Sequence, residues 1–206
     1  MSAADCPIVC LDMEGVLTPE IWIAVAEKTG IAELRRTTRD EPDYDKLMRG
    51  RLALLERHKL RLSDIQAVTG SLEPLPGAFE FLNALRVRFP VLLLSDTFYP
   101  FAGSLIAKLA QPVLFCHTLE VAKDGSITNY RLRLADQKRK TVRALKDLNF
   151  RVSAVGDSYN DVGMLSEAHN GILFCPPEHL PKEMPQFPVA RSYRELTALL
   201  DRIMAQ

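Results

Sequence analysis

The sequence has little of what marks several common protein classes. There are only four cysteines, Cys6, Cys10, Cys116 and Cys175. They make no CxxC pair and no zinc-like spacing, so neither a disulfide framework nor a zinc module is expected. Cys10 and Cys116 sit in apolar runs and read as buried thiols. No apolar run approaches the ~20 residues of a membrane span. No basic segment followed by a long apolar one stands at the N-terminus, so no signal peptide is expected. Lys+Arg and Asp+Glu both number 26, so the basic excess of a general nucleic-acid binder is missing. There is no internal repeat and no low-complexity tract. A cytoplasmic protein without nucleic-acid or membrane partners is expected.

What is present is a chain of 206 residues, 47 % apolar and 25 % charged, enough for one good core plus a small second module. Short apolar runs occur at Ile8–Leu11, Val91–Leu94, Val152–Val155 and Gly171–Phe174. Runs of this length without alternation suit parallel strands buried on both faces. Helical patterns separate them, at Ala78–Phe89, Ser104–Leu109, Arg139–Leu148 and Tyr193–Ala205. Strands alternating with helices predict an α/β fold with a doubly wound, Rossmann-like parallel sheet. Val113–Leu134 reads as a β-hairpin turning at Asp124-Gly125, with Tyr130, Leu132 and Leu134 on one side.

The interval Glu20–Leu72 contains no strand-like run and two or three helical stretches. Pro74-Leu75-Pro76-Gly77 closes it with a stiff turn. We read a small helical cap, residues 19–74, inserted after the first strand of a core formed by 1–18 and 75–206. Tyr44, Leu47, Met48, Leu52 and Leu55 recur at helical spacing, and Arg51 falls on their apolar face. It either snorkels or points at an anion held between cap and sheet.

Three of the strand-like runs end in Asp or Ser, and ligands of open α/β sheets bind beyond the carboxyl ends of the strands. Asp12 and Glu14 stand two apart in Asp12-Met13-Glu14-Gly15-Val16. Such close anions repel unless a cation lies between them or one holds a proton. Both conditions suit phosphoryl transfer, with one carboxylate as nucleophile and the other as acid. Gly156-Asp157-Ser158-Tyr159-Asn160-Asp161 offers hard oxygen ligands of the kind Mg²⁺ prefers, ahead of a helix at Val162–Ala168. Ser95, with Asp96-Thr97 opening the next helix, would cradle phosphate at free N–H groups. Lys138, in the run Asp136-Gln137-Lys138-Arg139-Lys140, is either solvated or a phosphate partner. Each element alone has a plainer reading as a loop acid, a helix cap or a charged surface.

Together, in this order, these elements resemble the four motifs of the haloacid dehalogenase-like phosphotransferase superfamily. Within it the chain is most similar to the phosphoserine phosphatases, because of the cap after the first motif, Glu20 and Arg51. Two features depart from the ordinary pattern. Glu14 replaces an Asp, and Ser95-Asp96-Thr97-Phe98 replaces Ser-Gly-Gly-Phe. Both, with Pro19-Glu20-Ile21-Trp22, look like the ThrH-type branch, in which the phosphoryl group also passes from phosphoserine to homoserine.

The resemblance implies an aspartyl-phosphate on Asp12 and acid–base work by Glu14. It implies Mg²⁺ on Asp12, Asp157 and the Glu14 carbonyl. Substrate would be held by Glu20, Arg51, Ser95, Asp96, Lys138 and Asn160, with Asp161 orienting Lys138. A homodimer is left open. Another small phosphomonoester is the alternative substrate. A phospho-accepting receiver domain is the rival outside enzymes, disfavoured by the cap and by Asp12 lying on the first strand.

Overall fold

A computed structural model describes residues 6–38, 40–41 and 43–204. The first strand, β1, spans Cys6–Leu11. Three helices follow, α1 (Ile21–Thr29), α2 (Tyr44–Arg57) and α3 (Leu62–Ser71), with a 3-10 turn at Ala32–Arg35. Then come α4 (Ala78–Arg88), β2 (Val91–Phe98) and α5 (Tyr99–Lys108). A hairpin of β3 (Val113–Val121) and β4 (Ile127–Arg131) leads to α6 (Gln137–Asp147) and β5 (Phe150–Gly156). The described chain closes with α7 (Val162–Glu167), β6 (Asn170–Phe174), α8 (Leu180–Glu183), β7 (Val189–Ala190) and α9 (Tyr193–Met204). Ala205, the expected end of the last helix, lies outside the described residues.

The strands form one sheet in the order β4-β3-β2-β1-β5-β6-β7. All pairs are parallel except β3 with β4. Side chains along β1 alternate between two cores: Val9 and Leu11 enter one, Ile8 and Cys10 the other. Strands β2 and β5 divide in the same way, Leu93 and Val155 against Leu92, Leu94, Val152 and Ala154. An uninterrupted apolar run is what a strand covered on both faces requires. Helices α4, α5 and α9 cover the first face and α6, α7 and α8 the second. The expected doubly wound sheet is therefore present.

β1 lies between β2 and β5, so chain order reverses at β1/β5. The crevice beyond the carboxyl ends at such a switch point is the natural ligand site of an open α/β sheet. Asp12 follows β1 there and Asp157 follows β5.

Three local expectations are corrected. Ser95, Asp96 and Thr97 do not open a helix; they belong to β2, which runs on to pair Phe98 with His117 of β3. The pairing is irregular between Leu94 and Phe98, a bulge that turns this stretch toward the crevice. The helix begins only at Tyr99, where Pro100 suits the first turn because it lacks an N–H to satisfy. The hairpin's second strand ends at Arg131, so Leu132 and Leu134 lie beyond it. Helix α6 starts at Gln137, two residues before the apolar periodicity begins, and so includes Lys138. The two-residue β7 had no readable pattern.

Between β1 and α4 the helical segment returns close to its start, since Leu75 N–H donates to the Leu17 carbonyl (2.9 Å). Leu47, Met48, Arg51 and Leu55 form the buried stripe of α2. The α2 helix is tied to β3 and β4 and their neighbours by Tyr44 Oη donating to the Asp96 carbonyl (2.9 Å) and Arg49 Nη1 to Asn129 Oδ1 (3.2 Å).

Candidate active site

The loop after β1 is fixed by its own backbone. Leu17 and Thr18 N–H groups both donate to the Met13 carbonyl, and Gly15 N–H donates to the Thr18 carbonyl. Gly15 has φ +77°, and a Cβ there would collide with the Asp157 carboxylate. Glycine thus satisfies two demands at once, a left-handed turn and a close approach of the two motif loops. A Cβ at Gly156 would likewise strike Asp161.

Asp12, 4 % exposed, accepts Met13 N–H (2.7 Å) and Lys138 Nζ (2.9 Å), both on Oδ1. Lys138 Nζ also reaches Asp161 Oδ1 (2.7 Å) and Asp96 Oδ2 (3.6 Å). The cationic run at Asp136–Lys140 thus splits: Lys138 is buried, while Arg139 pairs with Asp136 at the surface. Burial favours a neutral amine, but the carboxylates of Asp12, Asp161 and Asp96 outweigh it and hold Lys138 charged. Asp161 Oδ2 accepts the Asp157 and Ser158 N–H groups (3.0 and 3.2 Å). Both Asp161 oxygens are thereby engaged in positioning Lys138 and the loop after β5.

Oxygens of Asp12, Asp157 and Asp161 lie within 4.8 Å of one another. Asp157 Oδ1 is buried without a hydrogen-bond partner among the described residues. Burial, with Asp161 and Glu20 adding repulsion, pushes the Asp157 carboxyl up to about 7. Burial and Asp161 also push Asp12 up, against the pull of Lys138. An orphaned buried carboxylate oxygen among crowded acids is a donor set for a hard cation. The Glu14 side chain is not in this cluster. Its Oε2 accepts Ile21 N–H at the start of α1 (2.9 Å), and Thr97 hydrogen-bonds it as well. Burial raises the Glu14 carboxyl above its ordinary value, more than the Ile21 and Thr97 bonds lower it. A carboxyl whose proton is held more tightly than usual is suited to acid–base work.

Ser95 is buried, and its Oγ accepts Thr97 N–H (3.3 Å). Asp96 is bracketed by Lys138, by His117 Nε2 (3.5 Å from Oδ1) and by Gln137 Nε2 (3.4 Å). Burial alone would raise its pKa, but Lys138 and His117 prevail and hold it well below the usual carboxylate range. His117 Nδ1 accepts Arg133 N–H (3.2 Å), which places the ring proton on Nε2, toward Asp96. Gln137 is oriented by Arg133 Nε donating to its Oε1 (3.1 Å), and its amide donates to the Ser95 carbonyl (2.6 Å). Asn160 Nδ2 approaches Asp96 Oδ2 (3.4 Å).

Across the crevice stands Arg51, 8 % exposed. Its Nη2 donates to the Arg36 carbonyl (2.8 Å) and its guanidinium lies over the Trp22 ring (4.5 Å to the centroid). Its Nε has no hydrogen-bond partner, and no carboxylate forms an ion pair with it among the described residues. Burial draws its pKa down to about 10, with Tyr44, Glu14 and Glu20 opposing.

One cavity of about 320 Å³ lies at the centre of this arrangement. Asp12, Glu14, Glu20, Arg51, Ser95, Asp96, Lys138, Asp157 and Asn160 line it, so every sequence candidate except Asp161 faces a common space. Asp161 sits behind Lys138. Sequence reasoning missed Thr97, His117, Gln137 and the Trp22 contact. Thr97 adjoins a flagged pair, but His117 lies inside a strand with no local signal.

A carboxylate, a lysine and a serine gathered at the carboxyl-end side of β1, β2 and β5, with acids placed to hold a cation, define a class of phosphate-handling hydrolase. The family model of haloacid dehalogenase-like hydrolases matches residues 6–169, and the chain belongs to that family. It is 56 % identical over 189 residues to phosphoserine phosphatase ThrH of Pseudomonas aeruginosa, covering 92 % of each. It is 54 % identical to a phosphoserine phosphatase of Pseudomonas syringae pv. tomato, over 92 % of this chain and 80 % of that one. Its fold is that of a solved phosphoserine phosphatase carrying a phospho-aspartyl intermediate analogue, with TM-score 0.77, 20 % identity, and 95 % and 99 % of the two chains covered.

Proposed function

We propose that this protein is a Mg²⁺-dependent phosphoserine phosphatase that works through an aspartyl-phosphate on Asp12, with homoserine as an alternative phosphoryl acceptor. The observation that carries the reading is Arg51, a buried guanidinium without an ion pair among the described residues, facing the same cavity as Asp12 and Lys138. A buried cation of this kind is satisfied by an anionic group of a ligand, and its fork suits a carboxylate. A substrate with phosphate at one end and carboxylate at the other fits both ends. Glu20, which lines the same cavity, would meet its ammonium group. The identity to the two Pseudomonas phosphatases supports the same substrate.

Both donors to Asp12 converge on Oδ1, which leaves Oδ2 to attack phosphorus. As the P–O bond to the serine oxygen breaks, Glu14 gives its proton to that oxygen. The carboxylate so formed then takes a proton from water, whose oxygen attacks the aspartyl-phosphate and restores Asp12. When homoserine enters instead, its hydroxyl gives up the proton and the product is phosphohomoserine. Lys138 and Ser95 hold the phosphoryl oxygens, and Lys138 favours the ionised form of Asp12 against the burial that opposes it. Asp12, Asp157 and the Glu14 carbonyl, which accepts none of the loop hydrogen bonds, would hold the metal ion. When bound, Mg²⁺ neutralises the crowded carboxylates and polarises the transferring group. Residues 19–74 serve as a cap that excludes bulk water, hinged at Pro19 and at Pro74-Leu75-Pro76-Gly77.

The test is an assay with phosphoserine and Mg²⁺, with and without homoserine, following free phosphate and phosphohomoserine. Turnover is expected, and Asp12→Asn should abolish it while the protein stays folded. No phosphate and no phosphohomoserine from the wild type would refute the proposal.

A further inference from the structure

Trp22 is the single tryptophan of the chain, and it is 7 % exposed. It sits in the first turn of α1, one residue after the Ile21 N–H that binds Glu14. One contact of its ring is the edge of Phe101 on α5, with centroids 5.7 Å apart at 82°. Phe101 in turn meets Phe98 edge-on at 5.6 Å. The ring is thus wedged by the core, and its face is offered to the Arg51 guanidinium of α2. Arg51 has few other constraints. Its Nη2 donates to the Arg36 carbonyl, its Nη1 makes a weak contact with Met48 Sδ (3.6 Å), and its Nε makes no hydrogen bond among the described residues. A cation held over the face of a fixed ring is restricted in how far it can tilt away from it.

We infer that Trp22 is a positioning residue for Arg51: it sets the plane of the guanidinium, so that the N–H edge left without a partner meets a carboxylate in the cavity, and thereby sets the preference for a carboxylate-bearing phosphomonoester. This rests on the phosphoserine reading above. An aliphatic residue at this position would leave the guanidinium free to tilt, and the bidentate fit would degrade. Phenylalanine would keep a π face of smaller area.

The experiment compares wild type, Trp22→Leu and Trp22→Phe on O-phosphoserine and on O-phosphoethanolamine, which has the same phosphate and ammonium groups but no carboxylate. Trp22→Leu should lower the ratio of kcat/KM for the two substrates about tenfold, equivalent to ~1.4 kcal/mol. The loss should appear in KM for phosphoserine rather than in kcat, and Trp22→Phe should recover most of the ratio. A Trp22→Leu ratio within twofold of wild type, with both substrates impaired alike, would overturn the inference and leave Trp22 a packing residue.

A second readout does not depend on the leucine variant folding. In wild type the only tryptophan emission comes from under Arg51, so Arg51→Met should change its intensity or wavelength and abolish its response to phosphoserine. Identical emission with and without the guanidinium would also overturn the inference. A wild type that handles the two substrates equally would refute the phosphoserine reading itself, while the fluorescence of Arg51→Met still judges the contact.

Discussion

Arg51→Met separates a residue kept for binding from one kept for folding. The guanidinium is 8 % exposed and without an ion-pair partner among the described residues. Burial draws its pKa below the ordinary guanidinium value to about 10, a lowering that corresponds to roughly 3 kcal/mol of destabilisation of the folded state. Methionine removes that penalty and keeps an apolar stem beside Met48 and Leu55. It forfeits the hydrogen bond to the Arg36 carbonyl, about 1 kcal/mol, and the stacking on Trp22, about 1–2 kcal/mol. These oppose the gain at nearly equal size, so the ligand-free variant should be as stable as wild type or slightly more so. Phosphoserine binding should fall instead by ~2–5 kcal/mol, the usual cost of truncating one partner of a desolvated charge pair. The paired assays are urea unfolding without ligand and steady-state kinetics. A drop of more than about 2 kcal/mol in unfolding free energy at unchanged m-value would refute the reasoning, because Arg51 would then have a structural anion partner.

Lys138→Met should behave in the opposite way. It leaves Asp12, Asp161 and Asp96 without their shared cation, so unfolding measurements should show a loss of roughly 3–5 kcal/mol, with turnover down about 10²–10³-fold or more. Adding Asp12→Asn should restore part of the stability but none of the activity. Stability should also depend on pH through Asp157. Its folded-state value of about 7 exceeds its ordinary 3.8, so the metal-free folded protein holds an extra proton between those values. Metal-free stability therefore falls as pH rises through that window, and Mg²⁺, which needs the ionised carboxylate, stabilises more at pH 7.5 than at pH 5.5. Thermal melts with Mg²⁺ or EDTA at the two pH values check this; an equal Mg²⁺-induced shift at both would show that Asp157 is not the titrating ligand.

The acids of the site were legible because chemistry and architecture coincide in the chain. Ile8–Leu11 is apolar throughout and Val152–Val155 apolar but for the buried Ser153, because both sheet faces are covered, and Asp12 and Asp157 stand just past those runs. Glu14, Ser95 and Asn160 lie within a few residues of such ends. Arg51 was readable from its place on the apolar face of α2, a matter of helical periodicity alone.

Local sequence by itself determined the buried central strands, the doubly wound alternation, the helical stretch after β1 and which acids sit at the sheet's carboxyl edge, because burial on two faces and helical spacing leave direct traces in residue order. Only the tertiary structure decided the rest. Pairing with β3 kept Ser95, Asp96 and Thr97 in an irregular strand rather than a helix. The fold buried Lys138 out of a run of exposed charges and set it against Asp12, 126 positions earlier. It brought His117 to Asp96 and the Trp22 ring beneath Arg51. Such contacts join residues far apart in the chain, and their energy depends on distance and burial, neither of which residue order records.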